Sequence, residues 1–306
     1  MTQRLDWKRE GPTWPGHEHS RFVEAAGHTF HVQVSGEGPV ALLLHGTGAS
    51  THSWRRFAPL LAGRFTVVAP DLPGHGFTRA PFASSLSLDA MAESIAALMA
   101  KLGRMPDLII GHSAGAAIAL QMALKGLAAP RGIVSLNGAL RPLEGFASRF
   151  FPPIARMLAL LPIVPQVFAW RARDPAVLDD LLKQTGSRIP PEDRAIYARL
   201  AASPPHVGAA LGMMANWDLS ALERSFPKVT TPVLLVAGTQ DGMVPARQAD
   251  VVAHRLPHAE VARLRSLGHL AHEEAPERVV AAILDWFDRI TEVGPQATVP
   301  LAAGAP

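Results

Sequence analysis

One serine of this sequence has the surroundings of a nucleophile. Ser113 lies at the centre of Gly111-His112-Ser113-Ala114-Gly115, which follows an apolar run and precedes a helical pattern. Glycines on both sides of a serine permit a turn so tight that its side chain stands exposed between a strand and a helix. Because the pentapeptide alone also arises by chance, the strand–turn–helix context is what favours a nucleophile over a simple tight turn.

Two further side chains could serve this serine as base and acid. A serine hydroxyl attacks a carbonyl efficiently at neutral pH only when a base accepts its proton and a carboxylate orients that base. Asp241 follows the apolar run 233–237, and His269 follows a strand pattern that ends near Leu264. The order serine, acid, histidine is one in which such triads occur. We therefore predict Ser113, Asp241 and His269 as the catalytic residues.

Each of these partners also has a simpler interpretation. Asp241 precedes a glycine and could cap the helix that begins near Pro245. His269 is one of 13 histidines and could flank a helix at the surface. Three suitable residue types in the right order at three strand ends favour the triad over these separate explanations.

The oxyanion formed by serine attack needs backbone N–H donors. We predict the N–H of Ala114, directly after the nucleophile, and that of Thr47, in a glycine-rich loop after the strand 40–44. The glycines of that loop could instead simply permit a tight turn. The predicted substrate pocket includes three residues near these donors, His45, Gly46 and His112. It also includes Met213 and Trp217, from a later segment expected to supply core or pocket wall.

The elements that must position these residues alternate between strands and helices. Apolar runs predict strands at 21–25, 29–34, 40–44, 66–69, 108–110, 133–136, 233–237 and 260–264. Helical periodicity and end signals predict helices at 53–61, 87–103, 114–127, 246–256 and 276–290. The pattern indicates an α/β fold, with an eight-stranded, mostly parallel sheet and helices on both faces.

The alternation stops between residues 139 and 218, where proline, arginine and short helical patterns dominate. We predict an N-terminal arm (1–20), a core (21–138 and 219–293), a helical cap insertion (139–218) and a disordered tail (294–306). Between residues 139 and 173 the cap has five arginines, one glutamate and five aromatic residues. This composition suits a greasy ligand with carboxylates, an anionic membrane surface, or solvated arginines on short helices.

Composition excludes several classes of function. The 306 residues contain no cysteine, which rules out disulfides, thiolate metal sites and cysteine nucleophiles. The net charge of +3 comes from dispersed residues rather than a basic stripe, so nucleic-acid binding is disfavoured. The N-terminus lacks a secretory pattern, and prolines interrupt the apolar stretch 150–170, so no transmembrane segment is predicted. We expect no cofactor, no metal and a cytoplasmic location.

Several segments together resemble a known family over nearly the whole chain. They are HGTGASTHSW (45–54), VVAPDLPGHGF (67–77), GHSAGAAI (111–118), LNGAL (136–140) and LGMMANWDL (211–219). The sequence is similar to the BchO-type magnesium-chelatase accessory proteins of the α/β-hydrolase superfamily. The resemblance implies an α/β-hydrolase fold and a place in bacteriochlorophyll synthesis near magnesium insertion into protoporphyrin IX. It also implies magnesium-chelatase subunits as partners, but no particular reaction.

Three functions follow as hypotheses. Since the chain has no G-x-x-x-x-G-K-[ST] phosphate loop and no carboxylate cluster for magnesium, it would serve chelation only beside ATP-hydrolysing subunits. The leading hypothesis is an esterase-like serine hydrolase of that pathway, acting on a small molecule such as a tetrapyrrole. The alternatives are a non-catalytic porphyrin-binding or assembly accessory of the chelatase, and a general carboxylesterase or C–C bond hydrolase unrelated to pigment. Peripheral contact with the inner membrane stays open.

Overall fold

A sheet of eight strands organises the part of the chain that the computed structural model describes, residues 4–80, 83–142, 161 and 163–292. Its spatial order is β1-β2-β4-β3-β5-β6-β7-β8, with β1 and β2 antiparallel to their neighbours and the other six strands parallel. The predicted eight-stranded, mostly parallel α/β fold is confirmed. The strands are β1 (Ser20–Ala25), β2 (His28–Ser35), β3 (Val40–Leu44), β4 (Thr66–Pro70), β5 (Leu108–His112), β6 (Gly132–Leu136), β7 (Val233–Gly238) and β8 (Ala259–Leu264).

Helices cover both faces of the sheet, and the central strands, which are largely apolar, are buried along their whole length. Alternate residues of β3 enter opposite cores: Leu42 and Leu44 pack in one, Ala41 and Leu43 in the other. The described helices are α1 (Trp7–Glu10), α2 (Ala58–Ala62), α3 (Leu88–Lys101), α4 (Ala114–Leu124), α5 (Ile163–Arg171), α6 (Pro175–Gln184), α7 (Pro191–Ala201), α8 (Pro204–Asn216), α9 (Leu219–Ser225), α10 (Arg247–Ala253), α11 (Ala271–Glu274) and α12 (Pro276–Glu292).

Several predicted helices have different bounds in the structure: the one predicted at 246–256 is Arg247–Ala253, and two other differences have a local cause. The helix predicted at 53–61 is a 3₁₀ turn over Thr51–Trp54 followed by the short helix α2. Pro59 has no N–H to continue a helix and lies in the first turn of α2, while Trp54 and Phe57 are both drawn into the core. The nucleophile helix α4 ends at Leu124 rather than 127, because Gly126 adopts φ +66° and terminates it.

The N-terminal arm lies between the core and the helices that follow β6. Trp14 is 1% exposed, and its indole N–H donates to the Thr51 hydroxyl over 3.1 Å. The guanidinium carbon of Arg199, on α7, lies 5.5 Å from the centre of the Trp14 ring. Ile196 and Leu200 of α7 complete this small apolar cluster. The arm is therefore a packed part of the molecule.

Helices α5 to α8, between β6 and β7, are called the cap helices below. Within the described part of that interval, α5 and α7 pack on α8, and α6 packs on α7. The division of the chain at 139–218 stays a prediction. The predicted tail 294–306 and the segment 143–160, with Arg149 and Arg156, lie outside the described residues. Among the described helices, none has the length and apolar character to cross a membrane.

Candidate active site

Ser113 occupies a strained turn between β5 and α4. Its φ of 48° and ψ of −112° lie outside the regions that non-glycine residues favour. Such a conformation costs about 1–3 kcal/mol and persists only where the surroundings impose it. Here the Ser113 N–H donates to the Leu136 carbonyl over 2.9 Å, and the Ser113 carbonyl accepts the Ala139 N–H over 3.0 Å. The end of β6 thus fixes the nucleophile turn on both sides of its α-carbon.

The flanking glycines of this turn are required by close packing. A Cβ on Gly115 would overlap the carbonyl oxygen of Leu44, and a Cβ on Gly111 would overlap the backbone of the next turn of α4. The loop after β3 also approaches closely, since a Cβ on Gly46 would lie 2.8 Å from Nδ1 of His112 and 3.2 Å from the Cβ of Ser113. Only glycines let the two loops and the start of α4 meet at Ser113.

Asp241 and His269 form a buried pair. The Nδ1 of His269 donates to Oδ2 of Asp241 over 2.8 Å, which assigns the Nε2 lone pair of His269 to proton acceptance. The side chain of Asp241 is fully buried and that of His269 is 9% exposed. Oδ1 of Asp241 accepts the N–H groups of Met243 and Val244 at 2.7 and 2.8 Å. Oδ1 of Asp241 thus stabilises its own turn, but Asp241 does not cap the following helix α10, whose N-cap position is Ala246.

Asn137 is a site residue that the sequence analysis did not single out. Its side-chain amide donates to Oδ2 of Asp241 over 2.7 Å, beside the bond from His269. The same amide lies 3.4 Å from the carbonyl of Gly268. Asn137 has φ 47°, a left-handed conformation that asparagine tolerates better than most residues. The only signal was its place directly after a predicted strand, inside a segment noted solely for its resemblance.

His112 connects the nucleophile turn to the base. Its Nε2 donates to the backbone carbonyl of His269 over 2.9 Å, and the two rings lie 4.8 Å apart. Among the described residues, hydrogen bonds join Asp241 to His269, but none joins His269 to Ser113. Nucleophile–base contacts are commonly long without substrate and tighten when it binds. The three predicted catalytic residues thus follow the carboxyl ends of β5, β7 and β8, two of them in direct contact, and their joint action stays a prediction.

The predicted oxyanion donors occupy suitable backbone positions. Ala114 is the first residue of α4, where N–H groups have no partner within the helix. Thr47 lies inside a turn closed by the Ala49 N–H to the Gly46 carbonyl, with Gly48 at φ 75°. Neither N–H donates to another group within the described ranges. Both remain free to bind an oxyanion there, and that role stays a prediction.

The five predicted pocket residues differ in their surroundings. Gly46 and His112 lie against Ser113, as described above. His45 is fully buried, donates from Nδ1 to the Gly46 carbonyl over 2.8 Å and accepts the Leu72 N–H at Nε2 over 2.9 Å. Met213 is buried in the main core, and Trp217 donates to the Leu86 carbonyl over 3.0 Å. For His45, Met213 and Trp217, contact with a substrate stays a prediction.

Asp71 stabilises the loop after β4. Its two oxygens accept the N–H groups of Thr51 and Phe77, at 2.7 and 2.9 Å. His31, rather than His269, is its histidine partner, with Nδ1 at 2.8 Å. Burial by itself would raise the pKa of Asp71, but the charge and hydrogen bond of His31 lower it to about 2. Asp71 therefore does not compete with Asp241 for the role of catalytic acid.

Buried neutral histidines lie next to His269 (His112 and His272) and, separately, against the loop of Gly48 (His206). Burial lowers the pKa of His272 to about 3 and that of His206 to about 4, and it lowers the pKa of His112 well below its usual value. The ring of His272 lies between His112, at 4.5 Å, and Trp54, at 4.6 Å. Within the described ranges, no cluster of three or more histidine or carboxylate side chains could hold a metal ion.

Comparison with known proteins assigns the fold to a family. The sequence model of the alpha/beta hydrolase fold family matches residues 39–276, and the chain belongs to that family. The magnesium-chelatase 30 kDa subunit of Rhodobacter capsulatus is 42% identical over 252 residues, which are 82% of this chain and 88% of that protein. The chain is thus a BchO-type member, and the resemblance seen in the sequence is confirmed.

Other similar proteins include hydrolases. The 2-(acetamidomethylene)succinate hydrolase of Mesorhizobium japonicum is 27% identical, over 88% of this chain and 95% of that protein. The crystal structure of an alpha/beta hydrolase fold protein from Burkholderia ambifaria superposes with a TM-score of 0.72 at 26% identity, covering 87% of this chain and 100% of that one. These similarities support a hydrolase in general terms.

Proposed function

We propose that the chain is a serine hydrolase in which Ser113 attacks an ester-like carbonyl. The observation that carries this proposal is the buried Asp241–His269 pair, at 2.8 Å, on the same sheet edge as the strained Ser113. A structural aspartate–histidine pair would not require a serine in a disfavoured conformation beside it. Together, Ser113, His269 and Asp241 have the arrangement of a nucleophile, a base and an orienting acid.

The reaction would proceed in two balanced halves. Ser113 Oγ bonds to the carbonyl carbon while His269 Nε2 takes its proton, and Asp241 stabilises the imidazolium that forms. The N–H groups of Thr47 and Ala114 bind the oxyanion. His269 then returns the proton to the departing alcohol as the carbon–oxygen bond breaks. Water attacks the acyl-enzyme with His269 as base, which releases the acid and restores Ser113.

We place this hydrolase in bacteriochlorophyll synthesis, near the magnesium-chelatase step. Support comes from the relative named a magnesium-chelatase 30 kDa subunit, at 42% identity. The substrate class we propose is a small molecule of the tetrapyrrole pathway, and the partners we propose are chelatase subunits. The proposed location is the cytoplasm.

Labelling with a serine-directed fluorophosphonate tests the catalytic proposal. We expect the purified wild-type chain to react at one site, identified as Ser113 by peptide mapping. The S113A variant should lose the label, whereas S220A, which changes a half-buried serine on α9, should retain it. A wild-type chain that resists the reagent under conditions that label an esterase would show that Ser113 is not an activated nucleophile.

A second function, a porphyrin-binding accessory without catalysis, is favoured by a cleft between the N-terminal arm and the cap helices. The cleft has a volume of about 470 Å³ and is lined by Arg9, Arg173 and Arg199, with Glu10. Glu10 pairs with Arg9, while Arg173 and Arg199 form no ion pair with any acid of the described ranges. Guanidinium groups bind carboxylates through paired hydrogen bonds, so the propionates of a porphyrin would suit this cleft.

A bacterial strain carrying S113A separates the two functions. If the chain acts by binding alone, pigment content should be unchanged while the protein is present at its normal level. If it acts by catalysis, pigment should fall at the same protein level. Binding of protoporphyrin IX to the R173E/R199E double variant, measured by fluorescence, then tests the cleft directly.

A further inference from the structure

Part of the cap holds the loop that carries the proposed base. The connection between α6 and α7, residues 185–190, reaches across to the loops after β7 and β8. The carbonyl of Thr185 accepts two N–H groups, from His269 at 2.9 Å and from Gly242 at 3.2 Å. One carbonyl of the cap thus binds both the loop that carries Asp241 and the backbone of His269.

Three consecutive N–H groups around His269 are hydrogen-bonded, two of them to this connection. The N–H of Leu270 donates to the Ser187 hydroxyl over 2.8 Å, directly after the bond from His269 to Thr185. On the other side, the Gly268 N–H donates to Oε1 of Glu274 over 2.7 Å. The second oxygen of Glu274 accepts the N–H of Arg188, at 3.1 Å. The carboxylate therefore bridges the base loop and the cap connection.

Backbone packing makes this contact too close for ordinary side chains. Gly186 has φ 71°, and a Cβ there would overlap the carbonyl oxygen of Gln240, next to the acid. A Cβ on Gly242 would overlap the carbonyl of Gln184, and one on Gly268 would lie 2.5 Å from the Ser187 hydroxyl. Three glycines thus allow the cap connection, the acid loop and the base loop to lie backbone against backbone.

We propose that Thr185 and Ser187 are positioning residues for His269, so that the seated cap, and not the α/β core alone, holds the base in place. The inference rests on the proposed function of His269 and adds a condition to it. When the α6–α7 connection lifts, the N–H groups of His269 and Leu270 lose their acceptors. Ser113 is then fully reactive only while this connection is seated.

The S187A variant tests the proposal because it removes one acceptor from the base loop and leaves the backbone intact. We expect fluorophosphonate labelling of Ser113 to slow about five-fold to tenfold, the effect of losing one hydrogen bond. With a p-nitrophenyl ester, kcat should fall by the same factor while KM is unchanged. S187T restores the hydroxyl and should recover most of the rate.

The matched control is S203A, also in the cap. Ser203 is buried and precedes α8, but its side chain does not cap that helix or reach the acid and base loops. S203A should label within two-fold of wild type. Equal rates for S187A and wild type, or equal slowing in S187A and S203A, would overturn the positioning proposal while leaving the serine-hydrolase proposal intact.

A measurement that does not need activity distinguishes failure of the positioning proposal from failure of the proposed function. A wild-type chain that does not label contradicts the proposed function. In that case the downfield NMR signal of the His269 Nδ1 proton, bound to Asp241, still reports on positioning. We expect this signal in wild type and S203A and its broadening in S187A and E274Q. A signal unchanged in both variants would refute the positioning role.

Discussion

His112 and His269 are joined by a hydrogen bond of 2.9 Å from the Nε2 of the first to the backbone carbonyl of the second. The residue directly before the proposed nucleophile thus holds the backbone of the proposed base. Replacement by phenylalanine retains a ring and removes the donor. We expect H112F to cost about 1–3 kcal/mol of unfolding free energy in chemical denaturation, because a buried carbonyl loses its partner. Fluorophosphonate labelling of Ser113 should slow in the same variant. Unchanged labelling would show that this hydrogen bond does not affect the reactivity of Ser113.

Asp241 should be highly sensitive to substitution, though less so than Ser113 and the base His269. D241N retains the shape of the side chain but replaces an acceptor of the His269 Nδ1 proton with an amide that can present its own N–H. The base would then favour the wrong tautomer, a change that lowers kcat on the order of 10⁴-fold in a serine protease triad. Steady-state hydrolysis of a p-nitrophenyl ester measures the loss. A kcat within tenfold of wild type would contradict the assignment of Asp241.

Asn137 should support Asp241 more weakly. N137A removes the 2.7 Å hydrogen bond to the acid, and we expect kcat to fall about tenfold or more, since a hydrogen bond to a charged group contributes about 1.5–3 kcal/mol. N216A is the matched control, because the amide of Asn216 binds only a carbonyl of its own helix α8. The control should retain wild-type kcat. Equal kcat in the two variants would deny Asn137 a role beyond packing.

Glu273 should impose a pH dependence on stability. It is buried and accepts the Tyr197 hydroxyl over 2.6 Å, and burial raises its pKa to about 8. The folded chain therefore retains a proton that the unfolded chain loses above its ordinary pKa of about 4.5. The stabilisation is complete below that value and is lost as pH rises towards 8, by at most about 1.4 kcal/mol per pH unit.

The E273Q variant isolates this contribution, because glutamine resembles the protonated acid and does not titrate. Urea unfolding at pH 5 and pH 8 should show a smaller loss of stability in E273Q than in wild type. An equal loss of unfolding free energy in both proteins would show that a group other than Glu273 causes the pH dependence.

Close packing at the nucleophile turn gives a structural prediction. G115A places a methyl group against the Leu44 carbonyl, and we expect about 1–3 kcal/mol of destabilisation from overpacking. G63A is its control, because Gly63 has φ −68° and its added methyl group meets no neighbour. G63A should be neutral or slightly stabilising in thermal unfolding. Equal melting temperatures would contradict the steric argument.

The sequence predicted those site residues that follow a recognisable local pattern. The central strands are buried on both faces, so their apolar runs are easily recognised, and Ser113 and Asp241 each follow such a run. His269 follows β8, a partly exposed edge strand with a weaker pattern. Asn137, Thr185 and Ser187 lack any local pattern. Their roles arise from contacts between segments far apart in the chain, such as the Thr185 carbonyl with the His269 N–H, 84 residues later. The split of the helix predicted at 53–61 likewise reflects burial of Trp54 and Phe57.

The indole of Trp14 joins parts of the molecule that the chain order keeps apart. It donates to Thr51 in the core and lies beneath Arg199 of α7. The amino-terminal arm therefore connects α7 to the 3₁₀ turn over Thr51–Trp54, and removal of the Trp14 indole would weaken both attachments at once.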